Sequence, residues 1–302
     1  MVIRMAEESY EHNRSTRTFS LSPELQSGKL CIVFCLTYKM DRSSYKLYHK
    51  DQPDTRPLLD MYFSADPELV FKDDSMTGPM EKLHNAFKKG RLAGKLLIDL
   101  SASPSIHHLL FACEFFQEIM LMRTNEKCIM EILKWQGDRT GAFCWGHAAT
   151  HVVKLEGKSD DDSEAKELKL KEAITRVVKF DTDTESLADL IGGQQADCVI
   201  SAWLLGMISE NEEEYIWNLR KMIELLKPGG HLIILGITNA SYYTCGEQKF
   251  HVFKYDENFA KKALVGEGMT ILQCEATPRK SKSHLIDFDN VLFITACKQN
   301  KG

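Results

Sequence analysis

From Lys95 onward, short apolar runs alternate with amphipathic ones, the pattern of a parallel sheet wrapped by helices. Five runs read as strands: Lys95–Leu100, Glu118–Met122, Arg176–Asp181, Asp197–Trp203 and His231–Ile237. Helices are expected between them over Ser105–Cys113, Asn125–Trp135, Glu164–Thr175 and Glu210–Leu226. In the last of these, Tyr215, Leu219, Met222, Ile223 and Leu226 recur at helical spacing and Lys227-Pro228-Gly229-Gly230 stops the run. A helix near Asp256–Val265 then precedes two β runs, Met269–Thr277 and Asn290–Lys298. The polar loop joining them, Pro278–Asp289, leaves no room for a crossover helix, so these two strands should run antiparallel.

Upstream, residues 51–93 read as a helical lid in pieces, with Leu58, Leu59, Tyr62 and Phe63 grouped on one face. Pro79-Met80 opens a helix through Lys89, and Gly90 and Gly94 then break the chain. Residues 1–50 are mixed and polar around one apolar run, Leu30–Leu36, and read as a poorly ordered extension to a single domain over 51–302.

Composition narrows the class. The chain has 302 residues, 43% hydrophobic, with a net charge of -5, so it has a core of ordinary size and no basic field for nucleic acid or an anionic membrane. The run Leu30–Leu36 falls far short of the roughly 20 residues that span a bilayer. Nine cysteines, most inside apolar runs, fit buried thiols in a reducing compartment, so a cytoplasmic protein without a metal site is expected. Protein partners are not indicated.

Ligands of an open α/β sheet bind beyond the carboxyl ends of its strands. Three such ends stand out. The first runs into Ser101-Ala102-Ser103-Pro104-Ser105, where a ligand loop ordinarily uses glycine to turn with positive φ. At the second stands Arg123, a donor only, where a nucleotide site places a carboxylate for the ribose hydroxyls. This charge reversal leaves open an anion such as phosphate as ligand. The third, Asp181-Thr182, does end in a carboxylate and a hydroxyl, with adenine contact and loop capping as alternatives.

Four stretches carry a resemblance: Lys95–Leu100, Ala196–Ser201, Leu225–Gly230, and Ala240-Ser241-Tyr242-Tyr243 through Gly246-Glu247-Gln248-Lys249-Phe250. Together they resemble the nicotinamide, phenylethanolamine and indolethylamine (thioether) N-methyltransferase family, from about Leu58 to Lys298. The resemblance implies a class I methyltransferase (Rossmann-like) α/β fold, a seven-stranded, mostly parallel sheet with an antiparallel last strand and helices on both faces. It also implies S-adenosylmethionine as donor and a small amine or pyridine, such as nicotinamide, as acceptor. Such a reaction is mostly alignment of a reactive sulfonium with its acceptor in a dry site.

Carried over position by position, the donor site comprises Tyr62, Phe63, Ser101, Ser103, Ser105, His107, Arg123, Cys128, Asp181, Thr182 and Ala202. Tyr62 and Asp181 match the family, whereas the family has glycine at Ser101 and Ser103, tyrosine at His107, aspartate at Arg123 and asparagine at Cys128. Leu58 replaces an earlier lid tyrosine. At the acceptor end Tyr243 is kept, Gly236 stands for a carboxylate and Ala240 for a serine. A side chain forced into left-handed backbone costs roughly 1–2 kcal/mol, and a lost charged acceptor about 1.5–3 kcal/mol. One of each weakens donor binding on the order of 10² to 10³. His107 and His108 cannot both face the loop, and a surface or capping role is expected for them. Two functions follow: donor-dependent N-methyl transfer with an unusual loop, or a non-catalytic relative that keeps the fold for binding or interaction.

Overall fold

The computed structural model describes residues 46–66, 68–90 and 92–299. The elements, in chain order, are β1 (Lys46–Leu47), α1 (Thr55–Phe63), α2 (Gly78–Gly90), β2 (Gly94–Ser101), β3 (Phe116–Arg123), α3 (Glu126–Gln136), α4 (Gly146–Leu155), α5 (Ser163–Ala173), β4 (Ile174–Lys179), β5 (Ala196–Ala202), α6 (Leu205–Ile208), α7 (Glu212–Glu224), β6 (Leu226–Thr238), β7 (Tyr242–Cys245), β8 (Gln248–His251), α8 (Glu257–Gly266), β9 (Met269–Pro278) and β10 (Asn290–Lys298). The extension expected over 1–50 lies almost wholly outside the described residues. Its last few, from Lys46, pack onto the domain as β1 and a short 3-10 turn, His49–Asp51.

Seven strands form one sheet in the order β4-β3-β2-β5-β6-β10-β9. Neighbours from β4 to β6 are parallel, and β10 is antiparallel to both β6 and β9, as the short Pro278–Asp289 connection requires. Both faces are covered: Leu97, Ile119 and Leu121 pack in one core and Leu96, Ile98 and Leu100 in another on the opposite side. The chain leaves β2 toward β3 on one side and returns to β5 on the other. The carboxyl ends of β2 and β5 therefore flank the point at which such sheets bind ligands.

Helix starts follow their caps. Asn125 accepts from Lys127 N–H at 2.8 Å, Asn211 from Glu214 N–H at 2.9 Å and Asp256 from Phe259 N–H at 2.7 Å. Two helical expectations are corrected. The helix drawn over Ser105–Cys113 is a pair of 3-10 turns, His107–Leu109 and Ala112–Glu114, because this segment is wholly buried and its side chains follow polar partners and packing rather than a helical period. In place of the expected stop at Lys227–Gly230, α7 ends at Glu224 and those residues already belong to β6. Unanticipated elements are α4 and the β7–β8 hairpin, which turns on Gly246 at φ 60°. With β1 the hairpin makes a small three-stranded sheet, and a bridge from Tyr243 to Ile286 ties it to the Pro278–Asp289 loop.

Candidate functional site: the carboxyl ends of β2, β3 and β5

Period-two alternation places Leu97, Asp99 and Ser101 of β2 on the same face as Ile119, Leu121 and Arg123 of β3. Asp99 and Arg123 meet there, both fully buried. Arg123 Nη2 lies 2.8 Å from Asp99 Oδ2. The guanidinium also donates to the carbonyls of Met122 at 2.9 Å, Asp99 at 3.2 Å and Ser105 at 3.3 Å. Arg123 does not face a ligand at the strand end: its Nη groups are spent inside the chain, its Nε is buried without a partner, and the side chain is sealed from solvent.

Asp99 also meets His108 Nε2 at 2.7 Å and accepts from Ser101 Oγ at 3.0 Å. Burial pushes its carboxyl up, and His108 and Arg123 outweigh this, holding it below its ordinary value. Ser, His and Asp here do not form a hydrolytic triad. The same imidazole nitrogen faces both oxygens, Nδ1 has no partner, and all three side chains are sealed from solvent.

The loop Ser101–Ser105 is buried along its whole length. Left-handed backbone, expected where glycines are missing, does not occur in it; among the described residues the non-glycine ones with positive φ are Gln52, Asp138, Trp203 and Asn239. The loop takes another path, held by Ser103 Oγ, which donates to Ser105 Oγ at 2.8 Å and accepts from Ser105 N–H at 3.3 Å. Ala102 N–H reaches the carbonyl of Ala202, itself buried at the end of β5, at 3.3 Å. Strain is thus avoided, and so is the open cradle that glycines would leave.

Neither histidine is on the surface. His107 is buried against Phe63 and stacked on Trp145, ring centroids 5.7 Å apart, with Nε2 3.1 Å from the Ser75 carbonyl. Burial and the neighbouring His108 hold its pKa well below the ordinary value. Leu58, Tyr62 and Phe63 of α1 are buried, and the Tyr62 hydroxyl donates to the Thr244 carbonyl at 2.8 Å. Cys128 is buried too, its thiol pushed up to about 12 by desolvation.

Only Asp181, exposed, and Thr182, half-buried, face solvent, in an outer cleft of about 350 Å³ with Tyr48, His49, Thr124 and Met207. His49, from the segment before α1, lies between Thr124 Oγ1 (3.0 Å) and the Tyr243 hydroxyl (3.2 Å), and burial lowers its pKa to about 4. At the acceptor end, a Cβ on Gly236 would stand 2.5 Å from the Tyr255 hydroxyl, which fills the place a carboxylate side chain needs. Ala240 and Tyr243 are buried. Between the lid and the strand ends remains a cavity of about 70 Å³. Asp99, His108, His49, Trp203 and Tyr255, which shape the site most, escape a motif comparison; the parity of β2 and β3 is the one sequence signal that pairs Asp99 with Arg123.

This architecture defines a class I methyltransferase fold. In a comparison with solved structures it is similar to magnesium protoporphyrin IX methyltransferase from Synechocystis PCC 6803, with a TM-score of 0.50, 13% identity, and coverage of 80% of this chain and 90% of that one. The model of the NNMT/PNMT/TEMT family matches residues 44–299, and the chain belongs to that family. Among its relatives are mouse indolethylamine N-methyltransferase, 30% identical over 80% of this chain and 90% of the relative. Human nicotinamide N-methyltransferase is 30% identical over 82% and 93% respectively.

Membership implies S-adenosylmethionine as the family's donor. The residues present do not fit it. Ligand pockets measure roughly 300–1,000 Å³, against about 70 Å³ under the lid. The loop Ser101–Ser105 after β2 is buried, and at the end of β3 Arg123 is locked into the core. Among the described residues, no helix is long and apolar enough to cross a membrane.

Proposed function

We propose that this chain is a non-catalytic member of its family: it keeps the methyltransferase fold as a binding or interaction module and has closed the donor site with its own side chains. The buried Arg123–Asp99 pair carries this reading, because it converts the ribose end of the site into core. The Tyr255 hydroxyl against Gly236 supports it at the other end, where an amine or amide loses its carboxylate handle.

The second reading is S-adenosylmethionine-dependent methyl transfer to a small amine or pyridine. It is favoured by the outer cleft at Asp181 and Thr182, whose volume of about 350 Å³ is that of a ligand pocket. Transfer of a labelled methyl group from S-adenosylmethionine to nicotinamide, indolethylamine or phenylethanolamine separates the two. No transfer above the buffer rate is expected, and turnover on any of the three acceptors overturns the non-catalytic reading.

A further inference from the structure

Away from the strand ends, a second hollow runs along the outer edge of the sheet. On one face of β9, Ile271, Cys274 and Ala276 pack against the core, while the other face presents Gln273, Glu275 and Thr277. A polar face draws no helix onto it, and a groove of about 610 Å³, the volume of a ligand site, stays open between β9 and α2. From Gly78 to Lys89 it follows α2 for roughly 16 Å, at 1.5 Å per residue. Asp74 and Val291 line both this groove and the space under the lid, and form the wall between the two.

The floor of the groove is apolar: Ala86, Leu92 and Val291 are buried along it, and Leu272 at its side is 56% exposed. Its charges are matched with one exception. Lys82 bonds Glu275 across the groove, Lys280 lies 3.3 Å from Asp73, and Asp74 accepts from the backbone N–H groups of Lys280 at 3.0 Å and Ser281 at 2.8 Å. Glu81, at the rim, interacts with His151 of α4. Lys89 stands two turns beyond Lys82 on the same side of α2, is exposed, and forms no ion pair among the described residues. Its charge reaches Glu275, whose carboxylate is already engaged by Lys82 and Gln273, so Lys89 bears on the groove with nothing there to neutralise it.

We infer that this groove binds a small monoanionic amphiphile, a carboxylate on an unbranched apolar chain, with its head at Lys89 and its chain along Ala86, Leu92 and Leu272. A cation would find the carboxylates engaged, and a second negative charge farther along would meet Glu275 or Asp73. The chain gains by covering Leu272 and the floor, while exposed Lys89 leaves the head group in contact with water. The groove lies outside the donor site, so the inference goes beyond the non-catalytic reading and does not depend on it.

Three probes of one chain length test the inference on the full chain at neutral pH by ligand-detected NMR: octanoate, octanol and octylammonium. Octanoate is expected to bind about threefold to fivefold more tightly than octanol, the worth of one exposed ion pair, and to lose that margin in about 1 M salt. Octylammonium is expected to bind no more tightly than octanol. Lys89→Gln should bring octanoate down to the octanol level, whereas Lys88→Gln, next to it on α2 but outside the groove, should leave octanoate unchanged. Leu272→Ser should weaken octanoate and octanol alike. All three substitutions are at exposed positions, so each protein is expected to keep the parent's melting temperature. No binding of octanoate, equal binding of octanoate and octanol, or tighter binding of octylammonium would each overturn the inference. So would an unaffected Lys89→Gln or Leu272→Ser protein, or an equal loss in Lys88→Gln.

Discussion

Arg123 Nη2 and Asp99 Oδ2 lie 2.8 Å apart with neither side chain exposed to solvent. At the end of β3, where the resemblance leads one to expect a ribose carboxylate, stands instead the buried cation of an internal pair. Restoring the carboxylate with Arg123→Asp would set two buried carboxylates side by side and leave Asp99 without its guanidinium. Breaking one side of a buried pair costs about 3–5 kcal/mol, so this variant should melt on the order of 10 °C lower and should not regain donor binding. The double variant Asp99→Leu, Arg123→Met, which removes both charges, should be more stable than either single change. Thermal and urea unfolding of the parent, Arg123→Asp, the two single changes and the double variant checks this, and an Arg123→Asp protein as stable as the parent would contradict it.

Gly236 and Tyr255 should be coupled in the same sense. Gly236→Ala places a methyl group 2.5 Å from the Tyr255 hydroxyl, an overpacking of about 1–3 kcal/mol. Adding Tyr255→Phe removes the obstructing oxygen and should recover part of the loss. A double-mutant cycle reads the coupling, and strictly additive effects would show that the hydroxyl does not block position 236.

The architecture was legible from the apolar runs because both sheet faces are buried: all seven strand positions follow from them, as does the antiparallel Asn290–Lys298 strand. The candidate site was legible only as a set of replaced residues. Arg123 looked like a strand-end residue facing a ligand, since comparison by position records what was lost and not where the new side chain turns. Its destination depended on Asp99, which lies 24 residues away and matters through strand register. The missing glycines suggested strain in Ser101–Ser105, but a loop free to shift can avoid left-handed backbone, and here the strain stands at Trp203 instead. His49, outside the expected domain, had no motif to announce it.

Acid should loosen the fold through His49. Its pKa falls from 6.5 when free to about 4 in the folded chain because burial disfavours the cation. The unfolded chain therefore binds the proton first, and the stability His49 provides is complete above about pH 6.5 and is lost as the pH falls toward 4. The swing is on the order of 3 kcal/mol. His107, His147 and His151 are also lowered by burial and act in the same direction. In urea titrations from pH 7 to pH 4, His49→Gln should reduce the slope by up to one proton; an unchanged slope would show that His49 titrates freely.

Thiol reactivity separates a packed Cys128 from a pocket-facing one. With its pKa pushed up to about 12 and its side chain buried, Cys128 should stay unmodified by iodoacetamide at pH 8, while exposed Cys144 alkylates at an ordinary rate. Peptide mapping after a timed reaction distinguishes them, and equal labelling of the two would mean that the space beside Arg123 is open.

The closed donor site is tested most directly by calorimetric titration of the full chain with S-adenosylhomocysteine, which has the donor's shape without its sulfonium charge. A site closed by Arg123 and Asp99 predicts no saturable heat up to millimolar ligand, and no rise in melting temperature. A dissociation constant of about 10 µM or below, with the stabilisation of roughly 2.7 kcal/mol that a real site gives at a hundredfold excess over that constant, would contradict the account at its centre.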